Sequence, residues 1–333
     1  MKVLVPLCLI LLQAISGCIT EEKPAANYAA VENFTKIHEG KKILVIDSYN
    51  EGYEGFELKM KGVRSVLNET GIELKTIHLD EKNNPDKEFQ KKAALNAKSV
   101  IESFKPDVII TLDDPALKYV IMPYYKDSDI PVVFSGINWD DSEYRTPYNN
   151  TAGMIEVALI RQLVDYLLDY SEGGRIGFID ADTLSAYANA DAFKKYLNIT
   201  LTEQKHVKTF EEWKKVFIEI QDQVDVLILA NNGGVEGWDD EEAKLFVQNN
   251  TRIPTGSYNT WMTPFILVGL IKATEEQGEW SAQTALRILN GTRPSDIPQV
   301  TNKRGLLYVN LKIAEKLGLV INPNLLKNAI IIR

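Results

Sequence analysis

The sequence is poor in the side chains that form disulfides, thiol active sites and metal centres. Its 333 residues include two cysteines, Cys8 and Cys18, and three histidines, His38, His78 and His206. Cys8 lies inside an apolar N-terminal run, so a processed chain keeps only Cys18 and can form no internal disulfide. The histidines are far apart, and none has the spacing of a metal-binding motif. We therefore expect no metal site, no catalytic thiol and no resident cofactor.

The chain also lacks an excess of positive charge. It has 37 Lys and Arg against 46 Asp and Glu, which gives a net charge of −9 at pH 7. An acidic protein is repelled by phosphate backbones and anionic lipid surfaces, so we expect no nucleic-acid partner. The hydrophobic content of 45% is sufficient for a large core, and the length is compatible with two domains of ordinary size.

A short apolar run does stand at the start of the chain. Lys2 precedes apolar residues 3–15, a run typical of a secretory signal and shorter than the roughly 20 residues of a membrane-spanning helix. Two small residues then precede a thiol, and residues 15–18 resemble the lipobox of prokaryotic lipoproteins. The resemblance implies a signal peptide over residues 1–17 and a lipidated Cys18 that anchors the protein outside the cytoplasmic membrane. An ordinary secretory peptide with an incidental cysteine is the alternative.

The pattern of apolar residues divides the rest of the chain. Residues 18–41 are polar or small without a sustained period, and they predict a flexible tether. From residue 42 onward, short β-rich runs alternate with helical patterns, which is typical of βαβ units in a parallel sheet. A first series of strands is predicted at residues 43–46, 74–77, 108–111 and 132–134, and a second at 153–156, 176–179, 201–206 and 226–229.

The C-terminal part of the sequence favours two lobes. An apolar segment at 266–271, a helix at 281–289 and a strand–helix pair at 306–317 cannot all extend one sheet edge. We therefore predict an α/β fold of two doubly wound, Rossmann-like lobes joined by a multi-strand hinge. The predicted first lobe holds residues 42–138 and about 265–298, the second holds 139–264 and about 299–333, and the predicted crossings lie near 138–151, 258–264 and 296–306.

Four stretches carry a resemblance to one protein family. They are a strand and loop at 131–138, a helix and turn at 285–298, a strand and helix at 308–319, and the opening strand at 44–49. On these residues the chain resembles ABC-transporter substrate-binding proteins of the tryptophan/tyrosine-binder type. The resemblance implies a periplasmic-binding-protein type I fold, no enzymatic activity, a small-molecule ligand, and an ABC permease and ATPase as partners. A sensor module that reports ligand to a separate receptor, or a hydrolase on the same scaffold, are the alternatives.

Candidate ligand contacts follow from the position of loops in such lobes. Doubly wound sheets bind ligands beyond the carboxyl ends of their strands, where this sequence concentrates aromatic rings and small hydrogen-bonding side chains. The candidates are Ser48, Tyr49, Asp114, Ser135, Gly136, Asn138, Trp139, Asp180, Asn231, Trp238, Tyr258 and Trp261. Asp114 precedes a proline, so capping of a helix is an equally good interpretation of that residue. Carboxylates in the cleft favour a ligand with an amine, and donors at Ser135 and Gly136 would suit the carboxylate of an amino acid.

Overall fold

A computed structural model describes residues 38–333, which form two mostly parallel β-sheets. The first sheet contains β1 (Lys42–Asp47), β2 (Glu73–His78), β3 (Val108–Leu112), β4 (Val132–Asn138), β5 (Thr151–Glu156) and β11 (Val300–Thr301). The second contains β6 (Ile176–Ala181), β7 (Glu203–Val207), β8 (Val226–Leu229), β9 (Thr255–Ser257), β10 (Val268–Lys272), β12 (Gly305–Asn310) and β13 (Ala329–Ile332). The predicted signal peptide, Cys18 and most of the predicted tether lie outside the described residues.

The strand orders are those of doubly wound sheets. The first sheet has the order β11-β5-β4-β3-β1-β2, and the second has the order β13-β12-β10-β9-β8-β6-β7. Neighbouring strands are parallel except β10 and β12, which run antiparallel. The central strands are apolar and fully buried because helices cover both faces of the sheet, as the residues 43–46 of β1 illustrate.

The helices follow the predicted alternation. They are α1 (Glu54–Leu67), α2 (Lys87–Phe104), α3 (Asp114–Ala116), α4 (Met122–Tyr124), α5 (Ile160–Leu168), α6 (Leu184–Leu197), α7 (Phe210–Ile220), α8 (Asp240–Asn250), α9 (Glu275–Leu289), α10 (Leu311–Lys316) and α11 (Pro323–Leu326). A π-helical turn (Leu117–Ile121) joins α3 to α4. Six of the helices begin at residues whose side chains accept a backbone hydrogen bond from the first turn, namely Asp86, Thr183, Thr209, Asp239, Asn310 and Asn322.

Helix α9 returns from the C-terminal part of the chain to complete the first lobe. It packs on α1, and together the two helices cover the apolar face of the first sheet that contains Ile43 and Val45. The approach is backbone to backbone, since a β-carbon at Gly278 would lie 1.8 Å from the carbonyl oxygen of Lys59. Glycine is therefore needed at the crossing, and the first lobe is built from two distant parts of the sequence.

Three predicted assignments of segments to lobes are wrong, and one of them is β11 in the predicted second-lobe range 299–333, which pairs with β5 in the first sheet. The strand at 153–156, expected to open the second series, is β5, which pairs with β4 in the first sheet. The irregular stretch before it is a crossover of about a dozen residues with a single 3₁₀ turn (Ser142–Tyr144) instead of a helix, which the sequence pattern presents as a boundary. The predicted first-lobe range 265–298 is split, because its strand β10 pairs with β9 in the second sheet while α9 packs on the first.

Three connections join the two sheets within the described residues. They lie between β5 and α5, between β10 and α9, and between β11 and β12. Each leaves a strand at its carboxyl end, and β12 starts at the edge where β10 ends because these two strands are antiparallel. The carboxyl edges of both sheets are therefore the edges nearest the hinge.

Candidate functional site

Each sheet has one point where the order of its strands reverses. In the first sheet the chain moves from β1 outward to β2 and then to β3 on the other side, so the switch point lies between β1 and β3. In the second sheet it lies between β6 and β8. The loops that leave such a point diverge and open a crevice, which is the usual ligand site of doubly wound sheets. Residues that follow β1, β3, β6 and β8 are therefore the first candidates.

The end of β4 in the first lobe contacts α6 of the second lobe. The indole nitrogen of Trp139 donates to Asn189 over 3.3 Å, and the Trp139 ring packs against those of Phe193 and Tyr196. The next residue, Asp140, accepts from the hydroxyl of Tyr196 at 2.6 Å. Trp139 has a positive φ of 59°, a conformation that costs free energy in a residue with a side chain. These contacts bring the carboxyl edges of the two lobes together on one side of the hinge.

Ser48 and Tyr49 follow β1 at the first switch point. Ser48 is fully buried, and its hydroxyl donates to the Leu112 carbonyl at 2.6 Å and accepts from the Ala116 backbone at 2.9 Å. Its hydrogen-bonding capacity is used to fix the loop after β3. The half-buried ring of Tyr49 packs edge to face on Tyr53 at 5.0 Å. Of the two candidates, Tyr49 has the more accessible side chain.

A buried ion pair lies beneath this switch point. Lys59 of α1 contacts Asp113, with side chains that are 4% and 10% exposed. Burial opposes the charge on Lys59, but the carboxylates of Asp113 and Glu156 raise the pKa of Lys59 above its ordinary value. Asp113 has a φ of 67°, and its second carboxylate oxygen has no hydrogen-bond partner among the described residues. A β-carbon at Gly136 would lie 2.6 Å from that side chain, which explains the glycine in the predicted loop.

Asp114 is oriented by residues of the crossover after β4. The hydroxyl of Tyr144 donates to one of its oxygens at 2.7 Å, and the amide of Asn138 lies 3.4 Å from the other. Burial raises the pKa of Asp114 while these two contacts oppose the shift. The next candidate, Ser135, is fully buried and bonded to Ser281 of α9 at 3.0 Å. Asp114 and the exposed Asn138 therefore face outward, whereas Ser135 ties β4 to α9.

The hinge itself contains a second buried charge. Glu156 ends β5 and contacts Lys272, the last residue of β10, and its other oxygen accepts from Gln277 of α9 at 2.5 Å. Burial opposes the charge on Glu156, but Lys272 and Lys59 hold its pKa below the ordinary value. These contacts connect the first two crossings between the lobes.

The third crossing is tied to the other two by side chains. Asn302 accepts from the backbone N–H of Val157 at 2.7 Å and donates to the carbonyl of the same residue at 3.0 Å. One carboxylate oxygen of Glu276 accepts from the backbone N–H groups of Lys303 and Arg304 at 2.9 and 2.7 Å. The three connections therefore form one hydrogen-bonded unit about which the lobes can rotate.

Asp180 and Tyr258 lie at the second lobe's carboxyl edge. Asp180 is 2% exposed, and one of its oxygens accepts from the backbone N–H of Ala181 at 2.8 Å. The other oxygen has no hydrogen-bond donor among residues 38–333. Burial raises the pKa of Asp180 to about 7. Burial, together with the Asp180 carboxylate, also raises the pKa of Tyr258, whose hydroxyl has no partner in the same part of the chain.

The remaining candidates divide into an exposed pair and a packing residue. Asn231 follows β8 at the switch point, and it accepts from the indole nitrogen of Trp261, whose ring is 56% exposed, at 3.0 Å. Trp238 packs instead on Trp213 and Phe265 with ring centroids 5.0 and 5.3 Å apart. Trp238 is therefore a half-buried ring packed against the second-lobe core, because the loop after β8 folds back over α7 before it reaches α8.

Sequence reasoning did not select Lys59, Tyr144 or Glu156. Lys59 had a signal, since it lies three residues after Phe56 on the apolar face of a predicted helix, where an unpaired lysine would be costly. Glu156 ends a wholly buried strand and had a similar signal. Tyr144 had none, because its role depends on a crossover whose path the pattern of apolar residues does not determine.

Residues 38–333 show neither a metal-binding cluster nor a membrane-spanning helix. No group of three or more His, Cys, Asp or Glu side chains in this part of the chain is placed to hold a metal ion. None of its helices is long and apolar enough to cross a membrane.

Solved structures and a family profile identify the fold and the family. Two hinged, doubly wound lobes of this kind define the periplasmic-binding-protein type I fold, so the predicted fold class is confirmed. Residues 52–332 match the profile of the family described as ABC transporter substrate binding protein. The chain therefore belongs to the ABC transporter substrate-binding protein family, as its sequence predicted. No curated protein sequence matches the chain.

Three similar structures illustrate the fold. A ligand-free, open substrate-binding protein with adhesive properties from Clostridium difficile is 19% identical, with a TM-score of 0.66, over 88% of this chain and 99% of that one. An ABC domain in complex with L-Trp from Streptococcus pneumonia is 20% identical, with a TM-score of 0.52 over the same shares. A periplasmic ribose ABC transporter from Conexibacter woesei is 13% identical, with a TM-score of 0.53, over 85% and 96%.

Proposed function

We propose that the protein is a lipid-anchored, extracytoplasmic solute-binding protein that delivers a small molecule to an ABC permease and its ATPase. The observation that carries the proposal is the position of the crossings, which join the two sheets at their carboxyl edges. Both switch points then open toward one space between the lobes, and a ligand there can contact both. The protein binds its ligand by rotation about the hinge and does no chemistry on it.

The candidate contacts form two groups around this space. Tyr49, Asp114 and Asn138 belong to the first lobe, and Asp180, Asn231, Tyr258 and Trp261 belong to the second. The buried carboxylate of Asp180, with one unused oxygen, favours a ligand with a protonated amine, because an unpaired buried charge is costly. An amino acid or another amine-bearing molecule fits this description, and one structural neighbour holds L-Trp.

Ligand binding is tested first by a thermal-shift screen of amino acids, amines, nucleosides and sugars. A true ligand at 100 times its Kd stabilises the native state by about 2.7 kcal/mol, which raises the unfolding temperature. The same ligand should reduce the radius of gyration in solution scattering, because closure of the lobes makes the protein more compact. A compound that raises the unfolding temperature without compaction would contradict binding by closure, and a screen without any hit would contradict the proposed function.

Removal of the thiol at position 18 tests the anchor. In the native host, the Cys18→Ser variant should move from the membrane fraction to a soluble or unprocessed form, because serine cannot carry a thioether-linked lipid. Several acyl chains hold a protein stably at a membrane, since each buried CH₂ contributes about 0.8 kcal/mol. Cys8→Ser, inside the predicted signal, is the matched control and should fractionate like the unmodified protein. Equal fractionation and mass of all three would refute lipid anchoring.

A further inference from the structure

We infer that the ligand is an organic ammonium ion without a free carboxylate, and that its charged nitrogen binds between Asp180 and Tyr258. The inference rests on the proposed function and narrows the class of ligand. It is carried by the second carboxylate oxygen of Asp180 and the buried hydroxyl of Tyr258, which lie at the second lobe's carboxyl edge and accept no hydrogen bond from the described residues.

Asp180 and Tyr258 offer oxygen atoms that can accept hydrogen bonds, and no basic side chain pairs with them. Asp180 is only 2% exposed to solvent, yet only one of its carboxylate oxygens accepts a hydrogen bond, from the backbone N–H of Ala181. The hydroxyl of Tyr258 has none from residues 38–333. An ammonium group has three N–H donors and no acceptor, so it complements a carboxylate oxygen and a phenol oxygen in one place. A hydroxyl or amide ligand would leave the charge of the carboxylate unpaired.

The free energy of the buried Asp180 carboxylate also favours a cationic ligand. A buried carboxylate without a counter-charge is disfavoured, which is why burial raises the pKa of Asp180 to about 7. A cation that enters the site restores the ionised form and gains a charge-assisted hydrogen bond. The ligand therefore supplies the positive counter-charge that Asp180 lacks.

The absence of basic residues in the surrounding loops argues against a zwitterion. The segments 48–53, 113–117, 180–187, 230–239 and 258–265 contain no Lys or Arg, whereas they contain seven Asp or Glu: Glu51, Asp113, Asp114, Asp180, Asp182, Glu236 and Asp239. The nearby lysines already have partners: Lys59 with Asp113, Lys208 with Asp182, Lys272 with Glu156, and Lys82 over the Tyr53 ring. Arg145, in the crossover after β4, is exposed but belongs to the other lobe. A ligand carboxylate beside Asp180 would thus meet repulsion from the acidic loops, so an amine without a carboxylate is preferred.

Calorimetric titration of the purified protein with matched pairs tests this class directly. The pairs are tryptamine and L-Trp, tyramine and L-Tyr, agmatine and L-Arg, and cadaverine and L-Lys, which differ within each pair only by the carboxylate. The inference expects at least one amine to bind ten or more times as tightly as its amino acid. Tighter binding of the amino acids, or binding of sugars or nucleosides alone, overturns the inference and leaves the proposed function standing. Failure of all eight compounds to bind overturns the inference, and the proposed function is overturned as well only if the thermal-shift screen also has no hit.

Two variants and one control assign the site. Asp180→Asn should weaken binding of the amine at least 30-fold, because it removes the counter-charge. Tyr258→Phe should weaken binding of the amine 3- to 10-fold. This variant still tests the site if Asp180→Asn folds poorly. Asp182→Asn, two residues away and bonded to Tyr187 at the surface, should change affinity less than 3-fold. Equal affinities of Asp180→Asn and Asp182→Asn would place the ammonium elsewhere and refute the assignment.

The pH dependence gives an independent measurement. The site must be ionised to hold a cation, so affinity should fall about tenfold per pH unit below about pH 7, while an alkylamine stays protonated there. Tyr258 on the loop after β9 and His206, the register partner of Asp180 on β7, are the other titratable groups beside it. Asp180→Asn should abolish this dependence. A dependence that survives in the variant would arise from another group and contradict the inference.

Discussion

Replacement of Lys59 by Met is expected to lower the free energy of unfolding by about 3–5 kcal/mol. The variant removes the ammonium group and leaves Asp113 as a buried carboxylate without a counter-charge. Its loss of stability should shrink as the pH is lowered, because burial raises the pKa of Asp113 and protonation removes the unpaired charge. Urea unfolding monitored by tryptophan fluorescence at pH 5 and pH 8 measures both effects.

A control and a double variant separate the ion pair from other roles of the helix. Lys61→Met removes an exposed lysine from the same helix, whose pair with Glu275 is 3.3 Å long, and should cost less than about 1 kcal/mol. The double variant Lys59→Met with Asp113→Asn should be more stable than Lys59→Met alone, since no unpaired charge is left. Equal stabilities of the Lys59 and Lys61 variants would show that the buried pair does not hold the first lobe together.

Gly278→Ala is expected to destabilise the protein by about 3 kcal/mol, because α1 and α9 must move apart to admit one methyl group. The β-carbon would lie 1.8 Å from the Lys59 carbonyl oxygen, in backbone that cannot rotate away as a side chain would. Alanine's higher helix propensity, worth roughly 1 kcal/mol, offsets only part of this cost. Thermal unfolding followed by circular dichroism measures the change.

Gly174→Ala is the matched substitution. Gly174 has open space around its β-carbon position and no positive φ, so its replacement should change stability by less than about 0.5 kcal/mol. If Gly278→Ala were as stable as Gly174→Ala, the contact between α1 and α9 would not be as close as described. The comparison tests the discontinuity of the first lobe, since the contact between α1 and α9 joins two distant parts of the sequence.

The sequence predicted the local elements well because their signals are local. The apolar run at 43–46 and the period of α1 each identify an element without reference to the rest of the chain. The lobe to which a strand belongs depends on pairing, and pairing is not encoded locally. For β5, a polar crossover without a helix resembled a boundary between domains, although the free edge of β4 was the available partner.

In the candidate site, too, local features were predicted from the sequence and tertiary contacts were not. Doubly wound sheets bind ligands beyond the carboxyl ends of their strands. Since strand ends can be read from the sequence, this rule placed Asp180 and Asn231 at a switch point. It did not separate Trp238 from Trp261, since both follow strands and both are aromatic. Only the packing of Trp238 on Trp213 assigns one ring to the core and leaves the other exposed. The partners of a loop residue are set by tertiary contacts that periodicity does not contain.

The return of α9 to the first lobe also sets the order in which the protein can fold during synthesis. The apolar face of α1 with Phe56, Met60 and Val63 stays without its cover until residue 289 has been translated. From the end of α1 at residue 67, synthesis at 5–20 residues per second reaches residue 289 after about 11 to 44 s. During that interval the nascent chain exposes this apolar surface and has no completely folded first lobe. Exposed apolar surface of this kind makes a nascent chain prone to aggregation until the lobe is complete.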